Sequence, residues 1–145
     1  MRKLRPLDVE LPGPTRLPLV PPSAPISMIV DPGWRDETMK VVIREDRIVR
    51  MSKGIPEEEF SGTYIGITAF SAGAQWRFFR TMERWIAAGK VNEFFNVAVQ
   101  ELADQGTVVS AISTKGLPWA EIDDPTDLAF ARTHVFPKLR YALVA

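Results

Sequence analysis

Residues Trp119 to Leu128 read W-A-E-I-D-D-P-T-D-L, and this stretch decides how the rest of the chain is interpreted. Its alternating apolar residues predict a short strand over Trp119–Ile122, and Pro125 starts a helix directly after two adjacent carboxylates. Carboxylates at the point where a strand gives way to a helix lie at the edge of a sheet, where α/β enzymes hold metals and phosphates. The stretch therefore predicts an α/β fold and makes Asp123 a candidate site residue.

The same acidic turn also has a purely structural interpretation as a helix cap. Asp124 can be the N-cap, and Asp127 at the third helical position can accept a hydrogen bond from the backbone of the cap. That arrangement leaves Asp123 unexplained, since a second charge beside the cap adds repulsion that a cation or solvent relieves. Mg²⁺ typically takes one or two protein carboxylates and leaves its other positions to phosphates and water. Asp123 is therefore the candidate Mg²⁺ ligand, and capping is the alternative interpretation of the turn.

Composition excludes several classes of protein. At 145 residues the chain is long enough for one domain, and the absence of cysteine excludes disulfides, thiolate metal sites and a cysteine nucleophile. Eighteen basic residues balance eighteen acidic ones, so no long-range field attracts nucleic acid or anionic lipid. No apolar run approaches the roughly 20 residues of a membrane helix, and the N-terminus lacks the apolar core of a secretory signal. We expect a cytoplasmic protein with neither nucleic acid nor membrane as a partner.

Proline divides the chain unevenly. Seven of the 12 prolines fall within residues 1–25, and proline neither continues a helix nor donates to a sheet. This segment is predicted to be an extended, proline-rich irregular arm rather than a domain. The folded domain is expected over residues 26–139, followed by a tail over residues 140–145.

The pattern after residue 25 alternates strands with helices. Strands are predicted at Ile26–Val30, Gly62–Phe70 and Val108–Ser113, and Met39–Arg44 with Arg47–Met51 should form a hairpin. Ser71 and Asn92 are the expected N-caps of two amphipathic helices, which Gly89 and Gly106 end, and a last helix should run from Pro125 to about Phe136. This order predicts an α/β domain with a mixed sheet flanked by helices.

Four groups of residues, in order along the chain, carry a resemblance to a known family. They are Asp31-Pro32-x-Trp34-Arg35-Asp36; Met39-Lys40-Val41 with Arg47-Ile48-Val49 and Lys53-Gly54-Ile55-Pro56; Gly62-Thr63-Tyr64-Ile65-Gly66-Ile67 with Phe70-Ser71; and Trp119-Ala120-Glu121-Ile122-Asp123. Together they resemble the C-terminal half of a nucleotidyltransferase of the sugar-phosphate nucleotidyltransferase and phosphocholine cytidylyltransferase-like family. The resemblance covers residues 26–139 and implies a partial nucleotidyltransferase-type sheet.

The resemblance implies a reaction and a set of site residues. Such enzymes transfer a nucleotidyl group from a nucleoside triphosphate, here with CTP favoured, to a phosphorylated alcohol or sugar phosphate and release pyrophosphate. By motif, Asp123 is the catalytic and metal-binding residue, and Mg²⁺ is the implied cofactor. Glu121 lies two residues earlier, on the same face of the expected strand, and is assigned to the acceptor or to the surroundings of the metal.

Four further residues are acceptor-binding candidates, and three of them have a structural alternative. Tyr64 and Gly66 align with the strand that lines the acceptor pocket, although Tyr64 could be an ordinary strand aromatic. Trp119 could face a quaternary ammonium group if the acceptor were phosphocholine, or it could be a core residue. Lys115 could reach a substrate phosphate or could simply be a surface lysine.

One part of the family pattern has no counterpart in the sequence. The glycine-rich triphosphate loop G-x-G-[ST]-R-x-x-P and the first metal-binding aspartate of the N-terminal half do not occur. We therefore expect the chain to be inactive by itself and to need a separate N-terminal half. The alternative is a non-catalytic fold remnant or interaction module that self-associates as a homo-oligomer.

Overall fold

The computed structural model describes residues 24–35 and 37–142, the last three of them by backbone alone. The arm expected over residues 1–25 lies outside the described residues except for its last two. Residues 143–145 of the expected tail also lie outside them.

Five strands form one mixed sheet that closes on itself in the order β1-β4-β2-β3-β5. β1 runs parallel to β5, and every other described strand pair is antiparallel. The ring closes between β3 and β5 at the pair of Arg47 with Ser110. The mixed sheet was predicted, whereas its closure was not. The strands are β1 Ile26–Asp31, β2 Lys40–Arg44, β3 Arg47–Ser52, β4 Gly62–Phe70 and β5 Val109–Ser113.

The hairpin of β2 and β3 confirms its prediction. Arg44 pairs with Arg47, so Glu45 and Asp46 form a two-residue turn. Their φ angles of 49° and 60° are the left-handed values that a type I′ turn requires, and this turn matches the twist of the flanking strands. The turn sets the pairing next to it, and the register shifts once further along the hairpin, between Ile43 and Val42.

Two of the helices pack against the sheet, and two more follow its last strand along the chain. The elements are α1 Ala72–Ala87, α2 Phe95–Asp104, α3 Pro125–Phe130 and α4 Phe136–Ala142, with a π-helical turn over Ala131–Val135 and a 3-10 turn over Glu57–Glu59. The Ser71 hydroxyl caps α1 by accepting from the Ala74 N–H at 3.3 Å, as predicted. Helical structure continues to Ala142, past the expected end of the domain.

The prediction that Asn92 caps α2 was wrong, because the N-cap is Phe94, which has no capping side chain. The start of the helix follows from the packing of its buried face, which comprises Asn96, Ala98, Val99 and Leu102. Packing of such a face contributes more to the stability of a ten-residue helix than a cap does. Tertiary burial therefore overrode the local signal.

The core lies between the sheet and the inner faces of α1 and α2. It includes Ile26, Met28, Val30, Val41, Ile48, Tyr64, Phe78, Val99, Leu102 and Val109, all at most 7% exposed. Large apolar side chains remain exposed on the outer face of α1, in the loop before α2 and around α3 and α4: Trp76, Phe79, Ile86, Val91, Phe94, Ile122, Phe130 and Phe136. Among the described helices, none has the length and apolar character needed to cross a membrane.

Candidate functional site

Asp31, the last residue of β1, connects this strand to the loop that follows β5. Its Oδ1 accepts the Gly33 N–H at 2.9 Å, and its Oδ2 accepts the Thr114 hydroxyl at 2.8 Å. The Trp119 side chain also donates to this carboxylate. One carboxylate therefore holds the turn after β1 and the segment leading to the acidic turn against the same end of the sheet.

Asp31 is a charged anchor. Partial burial raises its pKa, but the hydrogen bonds from Gly33, Thr114 and Trp119, together with the Arg35 charge, outweigh that effect and hold the pKa below its ordinary value. Hydrogen bonds to the ionised form favour that form. At neutral pH the side chain is therefore an anion surrounded by donors.

The segment around Trp119 differs from its prediction. Residues 117–122 are irregular, so the predicted strand Trp119–Ile122 was wrong. Pro118 has no N–H to donate to a sheet, and Trp119 is held instead by Asp31 at its indole edge and by Arg35 over its face. Because there is no strand here, the expected shared face of Glu121 and Asp123 also loses its basis.

The acidic turn forms the predicted capping box. The Asp124 carboxylate accepts the Thr126 and Asp127 N–H groups at 2.6 and 2.9 Å, and Asp127 Oδ2 accepts the Asp124 N–H at 3.2 Å. Asp123 joins this network only through its backbone N–H, 3.0 Å from Asp127 Oδ2. The Asp123 carboxylate therefore stays outside the cap, in an exposed position.

The residues around this turn fit a Mg²⁺ site in which the protein supplies only part of the ligands. Within the described part of the chain, no group of three or more His, Cys, Asp or Glu side chains is placed to hold a metal ion. Mg²⁺ nevertheless needs only one or two protein carboxylates when phosphates and water fill its other positions. The Asp123 carboxylate, which capping does not use, suits such a partial site, with Glu121 exposed two residues earlier.

Tyr64 and Gly66 occupy different environments on β4. The Tyr64 ring is buried edge-on against Phe95, its hydroxyl pairs with Thr68 Oγ1 at 2.8 Å, and burial raises its pKa. Gly66 has a φ of 87°, and a Cβ added there would meet nothing within 4 Å. The backbone conformation thus requires glycine and leaves open space beside it. The acceptor role of both residues stays a prediction.

Lys115 lies in the tight loop between β5 and Trp119. It is exposed, its φ is 52°, and its N–H donates to Ser113 Oγ at 3.0 Å. The Thr114 N–H donates to the Val30 carbonyl at 2.9 Å, which attaches the start of this loop to β1. Lys115 therefore projects from a fixed backbone at the same end of the sheet as Asp31.

Sequence reasoning missed Asp31, Arg35 and Thr114 as site residues. Among the sequence patterns, Asp31 figures only with the residues that carry the resemblance, although it ends a strand with a carboxylate, which is the signal that drew attention to Asp123. A shallow cavity of about 320 Å³ lies elsewhere, between α1 and α2, lined by Trp76, Arg77, Arg80, Thr81, Arg84, Leu102 and Gln105. None of the site residues expected from the sequence lines it.

Comparison with known proteins bears on the fold. No family model matches the chain, and no curated protein matches it. The structure of the inositol-1-phosphate CTP transferase from T. maritima is similar over 81% of this chain and 46% of that one, with a TM-score of 0.62 and 20% identity. The chain has a nucleotidyltransferase-like fold.

A second structure with this nucleotidyltransferase-like fold is more distant. It is the nucleoside-diphosphate-sugar pyrophosphorylase from Vibrio cholerae RC9, with a TM-score of 0.50 and 11% identity over 81% of this chain and 47% of that one. The chain thus spans just under half the length of each of these two structures. The expected fold type is confirmed at this level.

Proposed function

We propose that the chain is the acceptor-binding and metal-binding half of a nucleotidyltransferase that uses a nucleoside triphosphate, with CTP favoured, and a phosphorylated alcohol or sugar phosphate. The observation that carries the proposal is the division of work in the acidic turn. Asp124 and Asp127 complete the helix cap, so capping does not account for the Asp123 carboxylate. The likeness of the fold to an inositol-1-phosphate CTP transferase supports this choice of reaction.

The proposed reaction needs positioning more than covalent help from the protein. A phosphate oxygen of the acceptor forms a bond to the α-phosphorus of the triphosphate, the bond from that phosphorus to the bridging oxygen breaks, and pyrophosphate leaves. Holding two anions together and neutralising their charge supplies most of the catalysis in such a step. Asp123 would hold Mg²⁺, which when bound supplies that neutralisation, with Glu121 as a further contact.

The remaining site residues would act on the acceptor. Lys115 would bind its phosphate from the loop after β5, and the open space beside Gly66 would admit it close to the β4 backbone. Tyr64 would shape the wall of the acceptor pocket without binding the acceptor itself. Its ring already packs against Phe95, and its hydroxyl is hydrogen-bonded to Thr68. Asp31 would keep Trp119, and with it the start of the acidic segment, at the end of β1.

A nucleotide-binding half is the partner that this proposal requires. The sequence contains no glycine-rich triphosphate loop, and backbone amides of such loops are what cradle phosphates in this chemistry. Exposed apolar side chains on α1 and in the loop before α2 offer a surface for that half: Trp76, Phe79, Ile86, Val91 and Phe94.

Paramagnetic broadening by Mn²⁺, a probe for a Mg²⁺ site, tests the metal assignment in the presence of CTP. We expect selective broadening of amide signals at residues 121–127, and its loss in Asp123→Asn. Asp124→Asn is a charge-matched control that should keep the broadening, since asparagine caps helices as well as aspartate does. Equal broadening in Asp123→Asn and the unaltered chain would overturn the assignment.

Pyrophosphate release tests the reaction itself. The chain should release none from CTP and inositol-1-phosphate when alone, and should do so when mixed with a separately expressed N-terminal half. Asp123→Asn should abolish that release, whereas Asp124→Asn should retain it. Release that is unchanged by Asp123→Asn would contradict the catalytic role.

The exposed apolar surface also favours a second candidate, a non-catalytic module that self-associates. Bare apolar faces drive association of chains in water. Light scattering combined with thermal unfolding separates the candidates. A monomer that unfolds cooperatively would count against self-association, and a discrete homo-oligomer without CTP or acceptor binding would favour it.

A further inference from the structure

Two tryptophans near the end of β1 each have one face covered by a cation of the chain. The Arg35 guanidinium carbon lies 4.2 Å from the centroid of the Trp119 ring. Lys40 Nζ lies 4.7 Å from the centroid of the Trp34 ring. Both distances are within the range of cation–π attraction. Ring faces of this kind can bind quaternary ammonium ligands, but here one face of each tryptophan is covered by a cationic side chain of the protein itself.

The Trp119 side chain of the Arg35–Trp119 pair is held in place by Asp31. Trp119 donates to Asp31, whose two oxygens also take the Gly33 N–H and the Thr114 hydroxyl. Thr114 is buried, and it follows directly after β5. Trp119 is thus tied to the sheet through Asp31, and the Arg35 guanidinium carbon lies over its ring.

Its position over the indole leaves the guanidinium able to bind an anion. The group carries five N–H donors in one plane, and those that do not face the ring remain available. A planar fork of donors suits the oxygens of a phosphate, which it can bind in bidentate fashion. Arg35 is exposed, so an incoming phosphate can reach these donors without a change in the core.

From this geometry we infer that Arg35 sets the class of acceptor. It blocks the Trp119 face against a quaternary ammonium group and offers its guanidinium to the phosphate of an acceptor without one, a phosphorylated polyol or sugar. The inference rests on the proposed function and on Trp119 being one of the acceptor-binding residues that the resemblance implies. It argues against a quaternary ammonium group on this face of Trp119, which the sequence alone left open.

The test follows the Trp119 indole N–H signal by NMR in the full chain, assigned with Trp119→Phe, during titration with inositol-1-phosphate and separately with choline. In the unaltered chain we expect the phosphate ester to shift this signal and choline to leave it unmoved. In Arg35→Ala the affinity for inositol-1-phosphate should fall by at least about tenfold, because a charge-assisted contact is lost. Choline should then shift the Trp119 signal, since the ring face is open.

Two further variants serve as controls. Arg80→Ala removes an arginine from a different tryptophan, the exposed Trp76, whose ring centroid lies 5.7 Å from the Arg80 guanidinium carbon, and should change neither titration. Arg35→Lys keeps the charge but loses the planar fork, so its affinity for the phosphate ester should lie between those of the other two chains. Well-dispersed amide spectra establish that each variant is folded.

The inference is overturned if choline shifts the Trp119 signal equally in the unaltered chain and Arg35→Ala. It is also overturned if inositol-1-phosphate binds both with the same affinity or does not bind the unaltered chain. Neither titration uses CTP or metal. If either titration fails, the chain can therefore still take part in nucleotidyl transfer to a different acceptor. Normal titrations without pyrophosphate release in the complemented reaction would instead defeat the proposed function alone.

Discussion

Replacing Asp31 by asparagine should destabilise the domain, because this carboxylate joins the turn after β1 both to Thr114 and to Trp119. Asparagine has the same shape but only one acceptor oxygen, so one of the two donors on this carboxylate, the Gly33 N–H at Oδ1 or the Thr114 hydroxyl at Oδ2, would lose its charged acceptor and face an NH₂ group. A hydrogen bond to a charged group contributes about 1.5–3 kcal/mol. Since Asp31 is only partly buried, we expect a loss of about 1–2 kcal/mol in the free energy of unfolding.

Urea unfolding of the full chain, followed by tryptophan fluorescence and circular dichroism, measures this loss. The midpoint should fall at pH 7 while the slope with denaturant stays unchanged. Glu57→Gln, which neutralises an exposed carboxylate on the 3-10 turn, is the matched control and should change the free energy of unfolding by less than about 0.5 kcal/mol. Thr114→Val should reproduce part of the loss, and the double variant should lose less than the sum.

The pH dependence gives the reasoning a second check. The pKa of Asp31 is lower in the folded than in the unfolded chain, so its contribution is complete above the unfolded value of about 3.9. The contribution is lost as the pH falls through the lower folded value. The unaltered chain and Asp31→Asn should therefore converge in stability under strongly acidic conditions. A difference that persists there at its full size, or an asparagine variant as stable as the unaltered chain at pH 7, would refute the anchor.

Four substitutions, one of them a control, test other features by urea unfolding. Gly66→Ala should lower the free energy of unfolding by about 1 kcal/mol because its φ is 87°, whereas Gly73→Ala in α1, where a Cβ meets nothing within 4 Å, should raise it by about 0.5 kcal/mol; equal effects would contradict the backbone argument. Asp124→Ala should cost about 1 kcal/mol and speed amide exchange in α3, and unchanged exchange would argue against the capping box. Gly62→Ala should cost about 1–3 kcal/mol because its Cβ would lie 2.2 Å from Val30 Cγ1, and no loss would show that Val30 moves freely.

Local chemistry explains which parts of the fold were predictable from the sequence. The Glu45-Asp46 turn, the Ser71 cap and the capping box at Asp124 each depend on residues within four positions of one another. Patterns of this length contain most of the information that determines such features. The strands were predictable for the same reason, since period-two alternation is a local property.

The parts that were missed depend on contacts between distant residues. Trp119 looks like a strand residue because it lies among alternating apolar positions, but Asp31, far away in the sequence, determines where its indole lies. Closure of the sheet depends on Arg47 meeting Ser110, which no short pattern encodes. Asn92 is a good N-cap by type, yet the buried face of α2 placed the helix start two residues later, at Phe94.

The parallel pairing of β1 with β5 has a consequence for how the protein is made. Ser27 of β1 shares a hydrogen bond with Ser110 of β5, a residue 83 positions later. At a synthesis rate of roughly 5–20 residues per second, β1 waits about 4–17 seconds on the ribosome for this neighbour. During that time its apolar residues Ile26 and Met28 lack one side of their final enclosure. Among the described strands, β1 is thus the first to be synthesised and among the last to be enclosed.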